Sequence, residues 1–267
     1  MRPFSYHRPT DLAQAAALLE SGDDVAALAG GHTLLPAIKS RLRAPDGLVD
    51  LSAIPGLAGI REDGDRLLVG AMTRHADVAT SPQVAAHCRA LARLAGGIGD
   101  PQVRNRGTLG GSIANNDPAA DYPAAVLGLA ATVHTSQRRI EADDFFQGMF
   151  TTALEPGELV TAVAFPRPLA AGYGRFAHPA SRYALVGVFV ARFAAGVRVA
   201  VTGAGAGVFR WMAAENCLSG SFDLGSVAGL VPDEADMNGD IHASAPYRAH
   251  LCSVMLGRAL ADCAASS

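Results

Sequence analysis

Apolar positions fall in short runs separated by glycine, proline and acidic residues, the rhythm of a chain that alternates strands with helices. Thr10 reads as the N-cap of an alanine- and leucine-rich helix over residues 11–20, which Ser21-Gly22 ends. Residues 25–29 form an apolar run of buried-strand length stopped by Gly30-Gly31, and residues 34–42 are helical again in composition. The first glycine pair therefore sits between a strand and a helix. Short runs at 48–51 and 67–70 alternate with turns, and Ser81-Pro82 opens a helix expected to run through Leu94. A helix over 121–129 and strands over 131–135 and 158–165 follow, the last running into Pro166-Arg167-Pro168.

That proline pair marks the preferred boundary between a unit over 1–168 and one over 169–267, with room for a strand or two beyond it to pack against the first unit. After it, residues 184–193 and 197–202 read as a hairpin about Ala194-Ala195-Gly196. Two or three helices follow, the last over about 247–261. The second unit is thus expected to be α+β. No internal repeat or low-complexity segment interrupts this order.

Composition narrows the function classes. The 267 residues suffice for two ordinary domains, and 49% hydrophobic with 18% charged residues describe a globular chain. A formal net charge of −3 gives no electrostatic reason to expect nucleic acid or an anionic membrane as partner. No apolar run approaches the roughly 20 residues of a membrane-spanning helix, and the start, Met1-Arg2-Pro3-Phe4-Ser5-Tyr6, has no hydrophobic signal core, so a cytoplasmic location is expected. Cys88, Cys217, Cys252 and Cys263 stand far apart with no CxxC pair, so neither zinc nor an iron–sulfur cluster is expected on this chain.

The candidate chemistry lies in two glycine-rich segments, Ala29-Gly30-Gly31-His32-Thr33-Leu34-Leu35-Pro36 and Thr108-Leu109-Gly110-Gly111-Ser112-Ile113-Ala114-Asn115-Asn116-Asp117-Pro118. Adjacent glycines permit the positive φ values that aim several backbone N–H groups at one anion, such as a pyrophosphate. The hydroxyls of Thr33, Thr108 and Ser112 can donate to phosphate oxygens; Asn115, Asn116, Asp117 and Asp121 can accept from ribose hydroxyls or an adenine amine. Each feature also has a plain structural explanation. A Gly-Gly can be a simple turn, Asp117 before Pro118 a turn starter, Asp121 a helix-start acid, His32 a turn residue, and Arg104 and Arg106 surface or subunit-interface cations. GxSxG, HExxH and paired-carboxylate signatures are absent, and no catalytic side chain is nominated. Gly203-Ala204-Gly205-Ala206-Gly207 after an expected strand imitates a Rossmann fingerprint, but its third glycine comes one position early, and a strand end and turn is expected there.

Taken together, the first segment, Gly99-Asp100-Pro101-Gln102-Val103-Arg104-Asn105-Arg106-Gly107 leading into the second, and Asn115-Asn116-Asp117-Pro118-Ala119-Ala120-Asp121-Tyr122-Pro123 resemble the FAD-binding medium subunit of molybdenum hydroxylases, the relatives of xanthine dehydrogenase and aerobic carbon monoxide dehydrogenase. The resemblance implies an α+β chain with a vanillyl-alcohol-oxidase-like FAD fold of two α/β subdomains, split near residue 55, followed by a small α+β domain of the carbon monoxide dehydrogenase flavoprotein type. It implies that residues 29–35 (Ala29, Gly30, Gly31, His32, Thr33, Leu34 and Leu35) and 108–112 (with Thr108, Gly110, Gly111 and Ser112) wrap the pyrophosphate. Asp121 would reach the adenosine half, with Asn115 and Asp117 beside it; Ile98 and Leu159 would line the pocket, and Tyr183 would lie near the isoalloxazine ring. It further implies that the molybdenum cofactor sits on a large subunit and two 2Fe-2S clusters on a small one, in a dimer of heterotrimers. Electrons would leave those clusters through FAD for an external acceptor, with substrate choice belonging to the large subunit. A free-standing flavin oxidoreductase of the same fold, a nicotinamide-dependent dehydrogenase using the Gly203 region and a flavin-less scaffold stand as alternatives.

Overall fold

A computed structural model of the protein describes residues 2–22 and 24–265. The first layer consists of β1 (Ser5–His7), α1 (Leu12–Glu20), β2 (Val25–Leu28), α2 (Leu34–Lys39) and β3 (Gly47–Asp50). The strands lie in the order β1-β3-β2 and every pair is parallel; α1 and α2 supply the crossovers that parallel strands require. Asp11 rather than Thr10 is the N-cap of α1, its carboxylate accepting the N–H of Gln14 at 2.8 Å. A carboxylate answers both the free amides and the dipole of the first turn. Helix α2 stops at Lys39, short of the expected 42, because Arg41 turns left-handed at φ 60° and the N–H groups of Leu42 and Arg43 fold back onto the carbonyl of Ala37.

The second layer runs through β4 (Ile60–Asp63), β5 (Arg66–Gly70), α3 (His75–Thr80), α4 (Pro82–His87), α5 (Arg89–Gly97), α6 (Pro101–Arg104), α7 (Leu109–Asn115) and α8 (Tyr122–Gly128). It continues with β6 (Thr132–Thr135), β7 (Arg139–Glu141), α9 (Ala142–Phe145), β8 (Phe146–Gly148), β9 (Thr151–Thr152) and β10 (Val160–Pro166). Strands β4-β5-β10-β6-β7 make one antiparallel sheet. The single helix expected from 82 to 94 is two helices, broken where Cys88 becomes extended at φ −154°. No glycine or proline dictates that break. The imidazole Nε2 of buried His87 lies 2.9 Å from the carbonyl oxygen of Phe165 in β10, and Val84, Cys88 and Leu91 all reach one core; packing on the sheet imposes the bend.

Beyond Pro166-Arg167-Pro168 a separate antiparallel sheet begins: β11 (Ala170–Ala177), β12 (Ala184–Phe193), β13 (Gly196–Thr202) and β14 (Phe209–Arg210), followed by α10 (Met212–Gly220) and α11 (Ala245–Ala264). Eight successive residues of β12 are buried because the sheet is covered on both faces. Val186, Val188 and Val190 meet Met255, Leu256 and Ala259 of α11, while Phe189 and Ala191 join Val126 and Leu127 of α8 in the core of the second layer. Strand β11 escapes sequence reading because Gly172 and Gly174 depress its strand propensity. They are needed there: a Cβ would stand 2.0 Å from the carbonyl oxygen of Ala259 at the first and 2.1 Å from that of Met255 at the second, so α11 rests directly on the strand backbone. The Gly203 segment is a strand end and turn, with Gly203 at φ 80° and its N–H donated to Pro118 at 2.8 Å. The architecture is α+β.

Candidate functional site

A cleft of about 720 Å³ runs from the first layer to the loop before β12, within the roughly 300–1,000 Å³ of small-molecule sites. One wall is the segment between β2 and α2. Gly31 takes φ 76°, and a Cβ on Gly30 would stand 2.2 Å from the carbonyl oxygen of Arg106. The first glycine segment is thereby pressed onto the chain leading into the second. Among the described residues, the backbone N–H groups of Gly30, Gly31, His32 and Thr33 have no acceptor, and all four residues line the cleft. Four consecutive free donors in a tight turn form a concavity for an anion.

The second glycine segment differs from expectation. Gly110 and Gly111 lie inside α7 with ordinary helical φ, so they supply no left-handed nest. Thr108 caps the helix, its Oγ1 accepting the N–H of Gly111 at 3.2 Å, and Gly110 N–H is donated to Ala71 at 2.8 Å. These glycines serve close approach: a Cβ on Gly110 would lie 2.5 Å from that of Ala71, and one on Gly111 3.4 Å from that of Ala29. They let α7 sink against β5 and bring the two segments together.

Ala29, Gly30, Gly31, His32, Thr33, Leu34, Ile98, Thr108, Gly110, Gly111, Ser112, Asn115, Asp117, Asp121, Leu159 and Tyr183 all border this one cleft. Leu35 does not; its side chain packs back toward Gly31. Arg104 and Arg106 also stay outside, Arg104 donating to the carbonyls of Ile98 and Gly99 at 2.9 and 3.1 Å. Asp117 behaves as a turn starter, accepting from Ala119 N–H at 2.9 Å. Asp121 stands at the N-cap of α8, but its side chain makes no capping hydrogen bond to the helix. Its Oδ1 accepts from the Tyr173 hydroxyl at 2.6 Å and lies 2.8 Å from Arg175 Nε, an ion pair whose geometry is too bent for a hydrogen bond. Burial pushes the Asp121 carboxyl above its ordinary range, against the opposing pull of Arg175 and Tyr173. Tyr183 is about half exposed at the cleft edge.

Three further features of the site carry no sequence signal. Phe150 lines the cleft from the β8–β9 turn at φ 53°, rare for an aromatic residue. Its N–H is donated to Asn116 at 3.1 Å, and Asn116 Nδ2 donates to the carbonyls of Gly148 and Thr151 at 2.7 and 2.8 Å. Tyr173 and Arg175 come from the unanticipated strand. His75, 5% exposed, lines the cleft floor with its Nδ1 unpartnered, 5.3 Å ring to ring from buried Tyr122. Burial, assisted by His32 and Arg104, lowers its pKa from the ordinary 6.5 to about 4.

His75 is therefore neutral in the folded chain across the range in which the unfolded chain takes up a proton. Stability should fall as pH drops through 6.5 and level off near 4, a loss of up to about 3 kcal/mol from this group. Melting temperatures followed from pH 7.5 downward should decline more gently in His75→Gln than in the wild type; parallel curves would contradict this assignment.

The family described as FAD binding domain in molybdopterin dehydrogenase matches residues 2–168. The nicotine 6-hydroxylase medium subunit of Paenarthrobacter nicotinovorans is 38% identical over 97% of both chains. The carbon monoxide dehydrogenase medium chain of Hydrogenophaga pseudoflava is 35% identical over 96% of both. A crystal structure of the Cu,Mo-CO dehydrogenase superposes over 100% of both chains with a TM-score of 0.92 and 35% identity. The chain belongs to the FAD-binding domain family of molybdopterin dehydrogenases. It is an oxidoreductase subunit of the molybdenum hydroxylase class, and its bound cofactor is FAD. The donor-rich turn, the cleft of about 720 Å³ and the carboxylate of Asp121 fit that cofactor's pyrophosphate and hydroxyl-bearing arms.

Proposed function

We propose that this chain is the electron-exit subunit of a molybdenum hydroxylase, taking electrons from iron–sulfur clusters of a small subunit and passing them to an external acceptor. The observation that carries this reading is the run of free N–H donors from Gly30 to Thr33, set against the capped helix of the second glycine segment, in one cleft. FAD supplies one- and two-electron redox chemistry, and the protein supplies its position and surroundings. In this reading residues 29–34 hold the pyrophosphate, with residues 108–112 packed behind them and Ser112 lining the cleft, and Asp121 reaches the adenosine half. Ile98 and Leu159 shape the walls, and Tyr183 covers the isoalloxazine ring.

A large molybdopterin-binding subunit and a small 2Fe-2S subunit complete the assembly, as a cytoplasmic dimer of heterotrimers, with the FAD unit ending near residue 168. Two features support the arrangement: relatives of matching length carry medium-subunit names for different substrates, nicotine and carbon monoxide, and no helix among the described residues is long and apolar enough to cross a membrane. Purification of the tagged chain from its native host should bring down two partners carrying molybdenum and iron. The flavin absorbance of that complex should bleach on addition of the oxidisable substrate, whereas the isolated chain should not respond. Bleaching of the isolated chain by a small substrate would overturn the reading in favour of a free-standing flavin oxidoreductase.

A further inference from the structure

Arg175 projects from β11 into the junction of three chain segments that border the cleft. Its Nε faces Asp121 Oδ1 at 2.8 Å, its Nη1 donates to the carbonyl of Gly97 at 2.6 Å, and its Nη2 donates to the carbonyl of Arg182. Gly97 closes α5 immediately before Ile98, Asp121 precedes α8, and Arg182 precedes Tyr183; Ile98, Asp121, Arg182 and Tyr183 all line the cleft. Arg182 holds φ 61°, a left-handed conformation rare outside glycine, where its carbonyl meets the guanidinium. The Arg175 side chain is 15% exposed and that of Asp121 5%, so water competes little for their ion pair, while the two carbonyl contacts lie at the solvent-facing rim.

We propose that Arg175 is the positioning residue of the FAD cleft, its guanidinium fixing the Ile98 turn, Asp121 and the Tyr183 loop in one frame around the cofactor; the inference rests on the FAD site described above. The planar guanidinium donates to two carbonyls while its charge faces the Asp121 carboxylate, so three segments are held by one rigid group. A lysine ammonium at the same place retains the charge beside Asp121 but lacks the rigid fork that reaches both carbonyls. Arg175 therefore acts through the walls it holds.

The test uses the full chain stripped of flavin. FAD is titrated by flavin fluorescence into the wild type, Arg175→Lys and Gly97→Val; in the last, a side chain is placed where a Cβ already lies 3.3 Å from Arg175 Nη1. The melting temperature of each flavin-free protein and the quenching of bound flavin by iodide are measured alongside. For Arg175→Lys the expected result is a Kd for FAD raised roughly 10- to 100-fold, the scale of one or two lost charge-assisted hydrogen bonds. The flavin-free melting temperature should barely change, and iodide should reach the flavin more readily. Gly97→Val should reproduce a weaker form of the same pattern. Unchanged FAD affinity and quenching in both variants would overturn the proposal, as would losses of affinity matched by equal losses of flavin-free stability. A wild-type chain that takes up no FAD would instead overturn the cofactor reading itself.

Discussion

Gly30→Val is expected to yield a folded, colourless protein. Any Cβ at this position would stand 2.2 Å from the carbonyl oxygen of Arg106 and 2.8 Å from the Cα of Gly107, and both obstacles are backbone. The first glycine segment would have to retreat from the second, pulling the free N–H groups of residues 30–33 out of the turn that brings them together. Crowding of this kind costs about 3 kcal/mol, which corresponds to a loss of FAD affinity of more than about 100-fold. Visible absorbance of the purified protein and titration with added FAD measure the effect. Alanine should do nearly the same damage, since the clash belongs to the Cβ itself. Gly220→Ala, where a Cβ has nothing within 4 Å, should keep its flavin. A Gly30→Val protein with the flavin content of the wild type would show that the two segments do not need this contact.

Gly174→Val should produce a large loss of stability. Its Cβ would be driven to 2.1 Å from the carbonyl oxygen of Met255, in the middle of the helix that covers the third sheet. α11 must lift off β11, opening the core in which Met255 and Ala259 meet Val188 and Val190. Overpacking against backbone costs about 3 kcal/mol or more, and for a chain of this size the melting temperature should drop by roughly 10 °C. Differential scanning calorimetry gives the measurement. A drop of less than about 2 °C would mean that helix and strand can separate without losing their core.

The fold was legible wherever local pattern and tertiary environment agree. The strand–glycine–helix order around Gly30-Gly31 and the hairpin about Ala194-Ala195-Gly196 match β2, α2, β12 and β13 to within a few residues, because the breakers that end these elements are in the chain itself. Reading failed where contacts override propensity. Cys88 is extended with no local breaker, and β11 forms across two glycines because a helix some eighty residues later lies on them. The site divides in the same way. Its glycine segments were visible as segments, but the role of Gly110 and Gly111 was misplaced: composition reports adjacent glycines without telling whether they are needed for φ or for the approach of Ala71 and Ala29.

By itself, then, the sequence determined the α+β order of elements, the two glycine-rich segments of an FAD-binding family, and a chain that offers no paired cysteines for an iron–sulfur cluster. These are properties of neighbouring residues, set by backbone freedom, periodicity and side-chain type. Only the tertiary structure decided that Asp121 turns away from its helix to Tyr173, 52 residues on, that Arg175 joins it to Gly97, 78 residues back, and that His75 lies neutral beneath the cleft. Those relations depend on distance and burial between remote parts of the chain, which packing creates and local pattern does not encode.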